Sequence, residues 1–379
     1  MKFRLNKLKR NTHKQLILYS ILVLCFTISL FFVHNNYSFY ERTIANVIET
    51  SLEDSEEMVD RNNNEDALFI QHIVGEIKNG DEKGELVHLT NEYSLSGAYD
   101  QEYHVGNDLF VAIDESTERD SELTGAVLDV KRDKYLVIVA WIFIFTLLIV
   151  GKKQGLYSII SLAVNVALIS YALDVYIHTS NISLLWICGI SAVLFTVITL
   201  LLVNGFNEKT YAAIVATILG TFLSLFITYV VMFLTSGSGL RYEEMGFLTR
   251  PPEIVFMAGL LIGALGAVMD VAVTMSTSVF SLYEKNNRIS NKALKKSGLE
   301  IGKDIMGTMT NILFFAYIGG SIPALILYLK NGSLLTFTFS INLSLELTRA
   351  LAGGIGIVLT IPIGLYTALI FVNRKRKRS

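Results

Sequence analysis

Residues 254–282 read IVFMAGLLIGALGAVMDVAVTMSTSVFSL, an apolar run with a carboxylate, Asp270, near its middle. A spanning helix needs roughly 17–25 mostly apolar residues, so the run is long enough to cross a bilayer. Gly259, Gly263, Gly266 and Asp270 recur at i, i+4, i+7 and i+11, which places all four on one helical face. That face continues through Val273 to Thr277 and Ser281 and grows polar toward its C-terminal end. An Asp at the centre of a spanning helix costs roughly 2.5–3.5 kcal/mol on insertion scales, so it calls for a function or an internal partner. Each Gly costs about 1 kcal/mol relative to Ala in a helix interior. Three on one face therefore suit tight packing or a cavity wall. The favoured reading makes Asp270 an ion or substrate site. The bland reading is a packed helix whose acid is protonated or hydrogen-bonded.

Working outward, the chain has 379 residues, 52% hydrophobic and 17% charged, against about 25% charged in soluble domains. Eight segments have spanning character, at about 15–33, 135–151, 156–176, 183–203, 211–234, 254–282, 306–329 and 346–372. Lys and Arg favour short cytoplasmic segments. They gather in the N-terminal residues 1–14, at Lys152 and Lys153, at Lys209, in the 283–303 loop and in the tail NRKRKRS, so both termini are expected in the cytoplasm. The first span is read as an uncleaved anchor. Its apolar run exceeds a signal-peptide core of about 7–15 residues, and HNNYSFY offers no A-x-A-like site. Cys25 and Cys188 lie within expected spans, where neither a disulfide nor a thiolate metal site is expected.

Between the first two spans, residues 34–134 hold 24 of the 34 acidic residues against eight basic ones. The stretch ETSLEDSEEMVDRNNNED within it is acidic and poor in aromatics, and reads as linker or weak helix. From 67 to 130 the runs LFIQHIVGEI, ELVHLT, DLFVAI and GAVLDV alternate with turn signals, and Asn79-Gly80 marks a hairpin. A small extracytoplasmic β-rich domain of sandwich or partly open barrel type is expected. The organisation is thus a basic N-terminus (1–14), an anchor (15–33), an acidic ectodomain (34–134), a seven-helix membrane domain (135–372) and a basic tail (373–379).

Two further helices carry polar patterns. At the start of the seventh span Asp304, Thr308 and Asn311 fall at i, i+4 and i+7. Together they suit the lining of a hydrated vestibule, although Asp304 reads better as a capping acid at a helix N-terminus. For Asn311 a lining role and a structural role stay equally open. In the eighth span Arg349, Gly353, Gly356, Thr360 and Gly364 share a face, with Glu346 placed to pair with Arg349 and a kink expected near Pro362. Packing of the sixth and eighth spans through their Gly stripes is expected.

The chain contains no H-E-x-x-H, no P-loop and no G-x-S-x-G, so zinc proteolysis, ATP-driven pumping and acyl hydrolysis lack their usual groups. Asp174 and Asp270 sit at different depths, which argues against aspartyl proteolysis. His72, His88 and His104 fall in the ectodomain without metal-ligand spacing, although two of them are placed to face each other across the hairpin. No metal, no other cofactor and no nucleic-acid partner is expected.

The runs GLLIGALGAVMDVAVTMSTSVFSL and SGLEIGKDIMGTMTNILFFAYIGGSIP, in that order, resemble the YibE/F-like family of bacterial multi-pass membrane proteins. LVNGFNEKTYAAIVATILG is similar to the family's fourth-to-fifth helix junction, and VGNDLFV with Arg132 agrees with its ectodomain. The resemblance implies a bacterial cell membrane location and a multi-pass architecture, and assigns no activity to Asp270, Asp304 or Asn311. The residues themselves point to a non-enzymatic transporter or permease for a proton, cation or small solute. Asp270, Thr277, Thr308 and Asn311 would lie along the path, and Gly259, Gly263, Gly266, Gly353 and Gly356 at helix contacts. The alternative is a membrane scaffold or sensor whose ectodomain binds an envelope or membrane protein partner.

Overall fold

The computed structural model describes residues 20–97, 100–114, 123–179, 182–245 and 251–378. The basic N-terminal residues 1–14 and the start of the expected anchor lie outside them. The chain divides into two compact units, Met1–Ile149 and Val150–Ser379.

The first unit holds helix α1 (Ser20–His34) and five strands, followed by the start of α2 (Asp133–His178). The strands are β1 (Ile44–Val59), β2 (Glu65–Ile77), β3 (Leu86–Ser94), β4 (Asp108–Ile113) and β5 (Leu123–Val130). They close into a barrel in the order β1-β2-β3-β5-β4, with β3 and β5 parallel and the other pairs antiparallel. Closure corrects the expected sandwich or open barrel, and it removes the exposed edges an open sheet would carry. Alternation on β2 sends Gln71, Ile73, Gly75 and Ile77 inward, where Ala45, Val87, Leu89, Leu109 and Val111 complete the core. Gly125 is required where β5 meets β4, because a Cβ there would collide with the Ala112 carbonyl.

The acidic stretch 49–66, expected as linker or weak helix, is instead strand: the outer half of β1 pairs with β2 as a ribbon that extends past the end of β3 at its tip. Register explains its stability: Asp54 faces Ile70, Glu56 faces Leu68 and Glu57 faces Ala67, while Asp66 faces Met58 and Glu65 faces Val59. Each of these acids thus meets an apolar neighbour and avoids direct like-charge opposition, while Glu53 sits at the irregularity between Leu52 and Asp54. Asp60 closes the turn, its Oδ1 accepting the N–H groups of Asn62 and Asn64, both at 2.8 Å.

Where barrel and helices join, Lys131 is buried with its side chain 1% exposed. Its Nζ donates to the Val33 carbonyl (2.9 Å) at the end of α1 and to Asp133 Oδ1 (2.8 Å) at the start of α2. The Tyr37 and Tyr40 rings lie 5.4 and 5.7 Å from the ammonium, within cation–π range. Asp133 Oδ2 accepts from Asn36 (3.0 Å) and Tyr40 (2.9 Å), and Asp108 Oδ1 accepts from Tyr37 (3.2 Å) and Asn46 (2.8 Å). Burial, reinforced by the Asp108 carboxylate, pushes the Tyr37 phenol up to about 12. Further along, Trp141 of α2 donates to Ser29 of α1 at 2.7 Å and stands edge-on to Phe26.

The second unit contains the rest of α2, then α3 (Leu184–Asn204), α4 (Glu208–Leu234), α5 (Pro252–Lys285), α6 (Asn291–Gly320), α7 (Ile322–Lys330), the one-turn α8 (Leu335–Phe337) and α9 (Ser344–Arg378). At ~1.5 Å per residue, α2 would be roughly 70 Å long if straight, more than twice a bilayer core. It breaks at Lys152, whose φ of 49° and ψ of −118° are not helical. Among the described residues α2, α3, α4, α5 and α9 are each long and apolar enough to cross a membrane. The expected seventh span is bent by 55° between α6 and α7, at the Gly319-Gly320-Ser321 run ahead of Pro323. α9 runs from Ser344 to Arg378 as one helix with Pro362 inside it.

Packing in this unit centres on α9, which lies against α4, α5 and α6. Small residues let the backbones approach. Ideal Cβ atoms on Gly353, Gly356 and Gly364 would lie 2.7 Å from Leu313, 3.0 Å from Val268 and 3.2 Å from Met275. A Cβ on Gly220 of α4 would overlap the Thr360 hydroxyl. Ser224 closes the α4–α9 contact by donating its hydroxyl to the Ala352 carbonyl at 2.6 Å.

Candidate functional site

The stripe that opens the sequence reading lies on the open side of α5. Gly259, Gly263, Gly266, Asp270 and Thr277 are all exposed within the unit. A Cβ on Gly259 or Gly266 would meet nothing within 4 Å. One on Gly263 would run into the Tyr317 hydroxyl, so this ring of α6 leans over the Gly face, its oxygen buried with no hydrogen-bond partner.

This corrects the expected packing of the two Gly stripes on each other. α9 meets α5 through Ala264, Val268 and Met275, roughly 140° around the helix from the Asp270 face at 100° per residue. The physical reason is shape. Those three side chains are knobs that Gly353, Gly356 and Gly364 can receive, whereas a Gly face opposite another Gly face offers no knob.

On α6 the buried line runs through Leu294, Gly298, Gly302 and Leu313, with Gly298 and Gly302 set against Leu365 and Ile361 of α9. Asp304, Thr308 and Asn311 occupy the other side and are exposed. Thr308 turns its hydroxyl back to the Ile305 carbonyl at 3.0 Å. Among the described residues neither Asp270 nor the Asn311 side chain makes a hydrogen bond or ion pair. The structure therefore presents the four expected site residues on two exposed helix faces, with no hydrogen bond or ion pair joining them among the described residues. Glu346 and Arg349 do form the expected ion pair, with the Arg349 guanidinium 5.2 Å from the Phe256 ring centre.

One polar surface was missed. The buried face of α4 is almost entirely small or hydroxylic, with Thr210, Thr217, Thr221, Ser224 and Thr228 all buried. Its signal was present as hydroxyls at heptad-like spacing inside YAAIVATILGTFLSLFITYVV. Thr217 and Thr228 spend their hydroxyls on carbonyls one turn back, while Thr221 Oγ1 and Ser276 Oγ of α5 are buried without partners.

In the barrel His72 and His88 stand side by side across β2 and β3, ring centres 5.3 Å apart, while His104 lies apart beside Glu102. Among the described residues no group of three His, Cys, Asp or Glu gathers as a metal site, and Cys25 and Cys188 are free thiols.

Long apolar helices that follow a small N-terminal barrel in the chain define a helical membrane protein with an added β-domain. The chain belongs to the YibE/F-like family: residues 139–374 match the YibE/F-like protein family and residues 38–130 match the YibE/F family N-terminal domain. No curated protein and no solved structure gives a significant match to it.

Proposed function

We propose that this protein is a permease that moves a proton, cation or small solute across the bacterial plasma membrane, with Asp270 as the group that binds it. The carrying observation is an unpartnered carboxylate on the open face of a long apolar helix. Ionisable groups within membrane helices face a bundle interior or a water-filled cavity, because hydrocarbon does not solvate them. The reading therefore makes the open faces of α5 and α6 the walls of a hydrated path. Thr277 extends that path along α5, Asn311 and Thr308 line it from α6, and the bare backbone at Gly259 and Gly266 leaves it room.

In this reading the chain crosses eight times, through α1, both straight parts of α2, α3, α4, α5, the bent α6–α7 pair and α9. Both termini are cytoplasmic and the barrel is extracytoplasmic. The role is not enzymatic.

The test uses full-length protein in liposomes carrying an internal pH-sensitive dye, with proton, sodium and potassium gradients imposed in turn. Asp270→Asn should abolish the flux that the unaltered protein supports while leaving its elution volume and melting temperature unchanged. With Cys25 and Cys188 replaced by Ser, Thr277→Cys and Asn311→Cys should react with a membrane-impermeant thiol reagent. Flux that survives Asp270→Asn, or thiols that never react, would remove the basis of the reading.

A second reading is favoured by the acidic β1–β2 ribbon, whose β1 strand is exposed on both faces along 51–59. There the barrel binds an envelope partner and the membrane helices serve as scaffold. Deleting the ribbon would then remove function without affecting flux.

A further inference from the structure

A cavity of about 420 Å³ opens where the first turns of α3 and α5 meet the end of α4. Glu253 supplies its carboxylate, and Tyr229 and Phe233 its aromatic wall, their rings stacked 6.4 Å apart. An ideal Cβ on Gly237 would lie 3.5 Å from Tyr242 Oη and 4.0 Å from Glu253 Oε1, so the two oxygens converge on one stretch of bare backbone. Tyr242 Oη is buried with no hydrogen-bond partner, and Glu253 makes no ion pair among the described residues. Burial and the nearby Glu253 push the Tyr242 phenol up, which keeps it a neutral hydroxyl.

A second cavity of about 370 Å³ shares Leu185 with the first and continues from it along α3 and α4. Its lining is apolar, with Trp186, Ile190 and Val193 on α3 and Phe222 and Leu225 on α4. Gly189 keeps it open, since a Cβ there would only come within 3.7 Å of the Phe222 ring and a longer side chain would fill the space. From Leu185 to Val193 the trench runs roughly 12 Å at ~1.5 Å per residue.

A charged mouth leading into an apolar trench fits one molecular shape. We propose that this groove binds a single-chain amphipathic cation, with Glu253 holding the ammonium head, Tyr242 packed behind the mouth, and the α3–α4 trench holding the tail. Among the described residues no Lys or Arg lines either cavity, and the Glu253 carboxylate at the mouth repels an anionic head. The aromatic faces of Tyr229 and Phe233 add cation–π attraction. This site lies apart from Asp270, which lines neither cavity, and does not depend on the permease reading.

The chain has two tryptophans, Trp141 and Trp186, and Trp186 lines the trench. In full-length Trp141→Phe protein in a neutral detergent, indole emission therefore reports from the trench alone. The probes are 12-bromododecyltrimethylammonium, whose bromine quenches indole, and 12-bromododecanol, which has the same tail and an uncharged head. The ammonium probe should quench saturably at concentrations at least tenfold below the alcohol. Glu253→Gln should weaken the ammonium probe fivefold or more and leave the alcohol unchanged. Gly189→Leu should weaken both, while Gly189→Ala, which fits without collision, should retain binding and certify the fold. Trp186→Phe protein should show only unsaturable quenching of Trp141. Equal half-saturation by the two probes, or an ammonium preference that survives Glu253→Gln, would overturn the proposal.

Discussion

Lys131 carries a charge into a place with almost no solvent, and its contacts come from three different segments. The carbonyl of Val33 ends α1, Asp133 begins α2, and Tyr37 and Tyr40 belong to the segment leading into the barrel. A cation at a helix C-terminus is favoured by the helix dipole, and the ion pair with Asp133 offsets part of the desolvation cost. Removing one partner of such a pair costs more than removing both, because the remaining charge loses its compensation. Lys131→Ala should therefore destabilise the first unit by about 1.5–3 kcal/mol, the range for a hydrogen bond to a charged group. Lys131→Ala with Asp133→Asn should recover part of that loss. Thermal melting in detergent, followed through Trp141 emission in a Trp186→Phe background, measures both. If the double variant is as unstable as the sum of the single ones, the pair is not a coupled unit.

At the scale of elements, a Gly stripe announces close approach but does not say what approaches. Gly353 and Gly356 receive Leu313, Ala264, Val268 and Ser224, whereas Gly259 and Gly266 face open space. Gly353→Leu should therefore overpack the α5–α6–α9 contact and cost roughly 1–3 kcal/mol. Gly259→Leu and Gly266→Leu should leave the melting temperature of the isolated protein unchanged while obstructing any path along Asp270. A melting curve and a flux assay on the same preparations separate the two effects. Loss of stability at Gly266→Leu would mean that its face is packed.

The sequence made other elements readable to different degrees. Strands β2 to β5 were legible because their apolar residues alternate toward a core. The outer half of β1 was not, because its acids and hydroxyls gain their partners only from the register with β2. The break at Lys152 was visible as a polar gap between two apolar runs. The bend before α7 was hidden, since GGSIP sits inside a run that is apolar throughout. The side of α5 that would meet α9 depends on knob-and-hole shape between distant helices, which local periodicity does not encode.

For the whole molecule, apolar length and charge placement together constrain the course of the chain through the membrane. The basic residues of the α5–α6 loop, the α6 start and the α9 tail come together at one end of the second unit. There Arg376 donates to the Ile289 carbonyl at 2.7 Å and Lys375 stands 3.6 Å from Glu284. A cluster of this kind is held on the cytoplasmic side by the cost of translocating Lys and Arg and by anionic lipid. If α9 ends there, an even number of crossings returns the N-terminus to the same side and sends the acidic barrel to the other. Fluorescent reporters that mature only in the cytoplasm should thus light up when fused to either terminus. A Cys at the tip of the β1–β2 ribbon, at Asn62, should be labelled from outside in intact cells that lack Cys25 and Cys188. The two halves of α2 decide the count. Were α2 a single crossing, the chain would cross seven times and the termini would separate, so one dark terminal reporter would refute the eight-crossing course and leave the fold of each unit untouched.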